Sequence, residues 1–179
     1  IPRCDAFVMS GSLPLRMGAR IEDLPAAPYL RAPNFRRVRP PVPGRIGVVT
    51  GGDPRHHNDA HRSLPAEVAA RLMALSSDMI SLDPKVTGSR DFADTAAIID
   101  QLDLVICVDT SVAHLAGAMG KPVWILLPDH DTDWRWMRGR TDSPWYPSVR
   151  LFRQPEPGAW DAVADEVAAA LTQTVGNSP

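Results

Sequence analysis

Two short apolar runs rich in β-branched residues, Leu104-Val105-Ile106-Cys107-Val108 and Val123-Trp124-Ile125-Leu126-Leu127, constrain this chain more than any other feature. Each reads as a strand buried on both faces, the habit of a parallel sheet. Between them Val112, Leu115, Ala116 and Met119 recur at helical spacing, and Gly120 followed by Pro122 stops the helix. Strand, tight turn, helix and strand make one βαβ unit. The expected fold class is α/β, a parallel sheet with helices on both faces.

Asp109-Thr110-Ser111 then falls at the carboxyl end of a strand and the amino end of a helix. Open α/β sheets bind ligands at such places. The first amides of a helix lack partners within it and its dipole is positive there, which suits a phosphate. The plainer reading is that Asp109 or Thr110 caps the helix. Both readings can hold together.

Arg45-Ile46-Gly47-Val48-Val49-Thr50 reads as an earlier strand, and the loop after it, Gly51 to Pro65, faces the same crevice. Gly51 and Gly52 permit positive φ and a close approach of backbone to ligand. His56, His57 and His61 invite a metal reading, and His57 and His61 have i,i+4 spacing. Gly, Pro and Asn around them argue against a helix, and no His-Glu-x-x-His pattern or nearby Cys is present. Side chains reaching an anion are the better reading, with Asn58 and Arg62 as candidates. A planar guanidinium suits phosphate because it donates two parallel bonds. No metal ligand and no cofactor is assigned.

Further along, residues 66–75 form an amphipathic helix with Val68, Leu72 and Leu75 on one face. Met79-Ile80-Ser81-Leu82 is a strand, and Asp83 to Arg90 a polar loop. Asp94 caps the next helix, over residues 94–102. Trp134, Arg135 and Trp136 either build a stacking surface or pack the proline-rich tail against the sheet. Trp160, Val163, Val167 and Leu171 share one face of a closing helix.

The net charge of −2 offers no general attraction to nucleic acid or to an anionic membrane. No apolar run approaches membrane-spanning length and no secretory signal is seen. Of the two cysteines, Cys4 and Cys107, the second sits in a buried strand, so a reducing compartment, the cytoplasm, is expected. Arg31 to Gly44 carries Pro33, Pro40, Pro41 and Pro43 among arginines and reads as a linker. The expected division is 1–41 as the end of a preceding domain plus linker, 42–171 as a ligand-binding domain, and 172–179 as a frayed tail.

The run Asp91 to Trp124, with Val108-Asp109-Thr110-Ser111-Val112-Ala113-His114-Leu115-Ala116-Gly117-Ala118 at its heart, resembles the C-terminal domain of family 9 glycosyltransferases, the heptosyltransferase family. Asp133-Trp134-Arg135-Trp136, Ser143-Pro144-Trp145-Tyr146-Pro147 and Arg150-Leu151-Phe152-Arg153-Gln154 resemble the bacterial branch in which this domain follows tetratricopeptide repeats. The resemblance implies a Rossmann-like domain, the C-terminal half of a GT-B fold. Its partner would be a nucleotide-diphosphate sugar donor, and the acceptor a glycan, lipopolysaccharide or protein. The reaction would be inverting and metal-independent, with the base and acceptor site in the first domain, so this chain alone would bind donor and transfer nothing.

By the same resemblance His114 lies near the donor phosphates, where an anion favours its protonated form. The turn at Asp91 and Phe92 would border the base, with Phe92 as core the other reading. Relatives carry Gly-Asn-Pro where this chain has Gly52-Asp53-Pro54, and a carboxylate there repels phosphate. The candidate substrate-binding residues are Asn58, Arg62, Asp109, Thr110, Ser111 and His114, with no catalytic residue assigned. A non-catalytic scaffold with a degraded site and a nucleotide-sugar epimerase are the alternatives.

Overall fold

The computed structural model describes residues 12–24, 28–34 and 46–176. Five strands, β1 Ile46–Val49, β2 Met79–Ser81, β3 Leu104–Val108, β4 Val123–Leu127 and β5 Val149–Arg153, form one sheet in the order β2-β1-β3-β4-β5. Every pairing is parallel. The helices are α1 Leu13–Arg16, α2 Asp59–Arg62, α3 Ala66–Met73, α4 Pro84–Thr87, α5 Phe92–Ile99, α6 Ser111–Ala118 and α7 Trp160–Gly176. The chain is α/β and Rossmann-like. No helix among the described residues is long and apolar enough to cross a membrane.

Alternation along each strand feeds two cores. Val105, Cys107, Ile125, Leu127 and Leu151 face α5 and α6. Ile106, Val108, Trp124, Leu126 and Phe152 face α3 and α7. Burial on both sides is why β3 and β4 read as unbroken apolar runs. β5 at the edge differs: Arg150 is exposed and lies over the rings of Trp124 and Phe152. A charged edge strand resists pairing with another chain.

The βαβ unit over 104–127 is present as read. Gly120, at φ 73°, follows the end of α6 in the left-handed region, and Pro28 packs over it. The amides of Tyr29 and Leu30 both donate to the Ala118 carbonyl, at 2.9 and 3.1 Å. A helix end left without partners is thereby satisfied.

Inside α6, a Cβ on Gly117 would lie 2.6 Å from Cγ of Tyr146. Gly117→Ala is expected to cost about 1–3 kcal/mol, the usual range for overpacking. Urea unfolding of the variant checks this.

Several local expectations change. The helix begun at Ala66 ends at Met73, leaving Leu75 beyond it and partly exposed. Asp91, not Asp94, caps α5, its side chain accepting from the Asp94 amide at 2.9 Å. Asp94 is buried and takes the Arg90 guanidinium instead. The polar loop 83–90 contains α4, capped by Asp83. β5 lies where no strand was expected, because arginines interrupt its apolar pattern. The closing helix continues past Leu171 to Gly176. The basic linker cluster Arg36, Arg37 and Arg39, the boundary near residue 41, and Cys4 lie outside the described residues.

Candidate functional site

The crossover from β2 to β3 passes over β1, so the strand order reverses between β1 and β3. A crevice opens there at the carboxyl ends of the strands. It comprises two cavities, of about 620 Å³ and about 730 Å³, which share Arg62, Thr110 and Ser111. The smaller is walled by Val49, Leu82, Pro84, Phe92 and Val112. The larger is polar, and Asn58, Arg62, Asp109, Thr110, Ser111 and His114 all border it.

Those six residues do different things. Thr110 stands at the N-cap position of α6 with φ −140° and ψ 170°, but its side chain makes no capping bond. Its Oγ1 is buried without a partner. Asp109 does not cap either. Its carboxylate accepts from the buried Trp136 indole N–H at 2.7 Å and from the Asp133 amide at 2.9 Å. It therefore ties the 129–136 segment to the end of β3.

Arg62 donates to the Asp109 carbonyl at 2.8 Å and to the Asp59 carboxylate at 3.2 Å. It sits on α2, a turn of helix inside the stretch where no helix was expected. A Cβ at Gly52 would lie 2.4 Å from the Arg62 guanidinium and displace it, and neither Gly51 nor Gly52 adopts positive φ. Asn58 is 4% exposed and donates to the Asp131 carbonyl, so it holds the loop instead of reaching outward. Its Oδ1 is buried with no partner at the cavity wall.

His114 stacks on Trp136 with ring centroids 4.7 Å apart, and its Nδ1 lies 3.2 Å from the Tyr146 hydroxyl. Its Nε2 is 3.7 Å from the Asp133 carboxylate. Burial pushes its pKa below the usual histidine value, against the pull of Asp133 and Asp109. Without ligand the imidazole is neutral near pH 7, and the protonated form is expected only beside a bound anion. Because the folded pKa is depressed, the stability held above the unfolded value of about 6.5 is lost as pH falls through it toward the folded pKa. Urea unfolding at pH 7.5 and 5.5 checks this, with a smaller acid loss expected in His114→Gln.

A family model described as glycosyltransferase family 9 (heptosyltransferase) matches residues 56–156, from the loop after β1 to just beyond β5. The chain belongs to glycosyltransferase family 9. Over 82 residues it is also 39% identical to Protein FlbA of Caulobacter vibrioides (strain ATCC 19089 / CIP 103742 / CB 15). That alignment takes in 45% of this chain and 13% of FlbA, so the chain spans a small part of that relative's length.

The family 9 match encloses all six candidate residues and several that sequence reasoning passed over. Asp133 borders the larger cavity and receives two bonds from Arg135 at 3.0 Å. Tyr146 carries His114. Nothing in the local spacing of either residue signals these contacts. Trp136 is fully buried while Trp134 is 62% exposed, so the two readings of the Trp-Arg-Trp stretch divide between its tryptophans. Phe92 is 60% exposed at the smaller cavity and is not core.

Two charge questions bear on ligand choice. Asp53 is gripped by the exposed Arg55, which holds its carboxyl down at about 2. Its charge is thus countered by its neighbour. The stretch Asp129-His130-Asp131-Thr132-Asp133 repeats an Asp-x-Asp spacing, a pattern suited to divalent ions. Asp129 is bound to His130 and Asp133 to Arg135. Among the described residues no group of three His, Cys, Asp or Glu is set to hold a metal.

Proposed function

We propose that this chain is the nucleotide-sugar-binding half of an inverting, metal-independent GT-B glycosyltransferase. The observation that carries the reading is the shared boundary of the two cavities, formed by Arg62 and the amino end of α6. A nucleotide sugar has the matching plan: a flat base, an anionic diphosphate and a polar sugar. Phe92, Leu82 and Pro84 suit the base. The amides at Thr110 and Ser111, with the Arg62 guanidinium, suit the diphosphate. His114 and Asp133 border the space left for the sugar.

Displacement at the anomeric carbon releases the nucleotide as a more highly charged diphosphate. Donors already aimed at that charge lower the barrier without reorganising. Arg62 is held by Asp109 and Asp59 before any ligand arrives, which is such preorganisation. The acceptor and its base belong to the preceding domain on this reading. Asp131 at the larger cavity favours the rival, a scaffold that binds no donor.

Thermal shift and calorimetry with UDP, ADP, GDP and CMP and their sugar conjugates, with and without EDTA, separate the two. Donor at a hundred times its Kd adds roughly 2.7 kcal/mol of stability. The expected result is a response to one nucleotide that EDTA leaves unchanged. Loss of the response in EDTA contradicts the metal-independent part of the reading. Silence in this chain and in the longer protein contradicts donor binding.

A further inference from the structure

The neutral state of His114 raises a question, because an imidazole meeting a phosphate has to donate. A neutral ring carries one proton, and the partner of one nitrogen decides which nitrogen holds it. Nδ1 of His114 is 3.2 Å from the Tyr146 hydroxyl, while Nε2 lies toward Asp133 at the cavity. Tyr146 is 4% exposed, and its ring is seated against Gly117 on the same helix as His114. The Tyr29 side chain lies beside its hydroxyl. Tyr29 belongs to the segment whose amides close the far end of α6.

We infer that Tyr146 is a positioning residue for His114: its O–H donates to His114 Nδ1, which places the imidazole proton on Nε2, on the side of the Asp133 carboxylate, and makes a neutral ring a hydrogen-bond donor into the cavity. Burial and the neighbouring Tyr29 raise the Tyr146 phenol far above its usual range, so it keeps its proton. The other groups facing His114 are Asp133, Asp109 and Arg135, and the first two draw a proton toward the ring. The stacked Trp136 gives its N–H to Asp109 and leaves His114 Nδ1 to Tyr146.

The inference deepens the donor-site reading, in which Nε2–H meets a diphosphate or sugar oxygen.

Long-range ¹⁵N–¹H NMR of the ligand-free protein reads the tautomer directly, with His114→Gln assigning the signal. The expected spectrum shows His114 mainly as the Nε2–H form. Tyr146→Phe keeps the ring on Gly117 and removes the donor. Neutral His114 then loses a stabilising bond, so its tautomers mix and its titration midpoint rises. An Nδ1–H form in the native protein, unchanged tautomers in Tyr146→Phe, or a falling midpoint each overturns the inference.

No nucleotide is needed for these readouts, so failure of the donor reading is distinguishable from failure of the tautomer assignment. Where a donor binds, Tyr146→Phe is expected to weaken it about five- to tenfold, the scale of one hydrogen bond.

Discussion

Replacing Trp136 with alanine is expected to cost about 3–5 kcal/mol, the range for removing a large buried aromatic. Trp136 has no exposed surface, stacks on His114 and donates its indole proton to Asp109 at 2.7 Å. The substitution opens a cavity and leaves a buried carboxylate short of a partner. Each adds to the loss, because a stranded charged acceptor keeps its full desolvation penalty. Trp136→Phe keeps most of the ring and removes the N–H, so about 1–3 kcal/mol is expected there. Urea unfolding of both variants separates packing from the hydrogen bond. A cycle with Asp109→Asn should show coupling of about 0.5–3 kcal/mol between the two residues.

Ser111→Pro is expected to weaken donor binding by about ten- to a hundredfold while changing stability by no more than about 1 kcal/mol. Ser111 is the first residue of α6, where proline's fixed φ suits the helix and its missing N–H has no helical partner. Thr110 is already extended, at φ −140° and ψ 170°, as a residue before proline prefers. The substitution therefore removes one amide donor from the cavity wall and leaves the helix in place. Calorimetry with the responding nucleotide sugar measures the loss. Ser111→Ala controls for the hydroxyl, and its affinity is expected to stay near that of the native protein.

The βαβ unit around Asp109 was legible because burial on both faces leaves unbroken apolar runs, and Gly120 and Pro122 punctuate the helix between them. β5 was not, since an edge strand mixes Arg150 and Arg153 with Leu151 and Phe152. Periodicity could place Thr110, Ser111 and His114 near a helix start. It could not show that Asp109 serves the tryptophan and the amide of a segment more than twenty residues later.

Asn58 and Arg62 were chosen as outward-reaching groups. The fold instead uses part of each to bind its own loops, because a buried polar side chain needs partners whatever ligand comes. Tyr146 was invisible as a neighbour of His114, since the two meet only when α6 packs beneath the 143–147 turn. The expected cap at Asp94 failed because Asp91 offers the same chemistry three residues earlier, leaving Asp94 to Arg90.

Amide and guanidinium chemical-shift mapping on the ¹⁵N-labelled protein tests the central claim most directly. Titration with the nucleotide sugar that responds in the binding panel should move Thr110, Ser111, Val112 and the Arg62 Nε–H most, with His114 following. Shifts centred elsewhere, with the amino end of α6 unmoved, would contradict a diphosphate seat between β1 and β3.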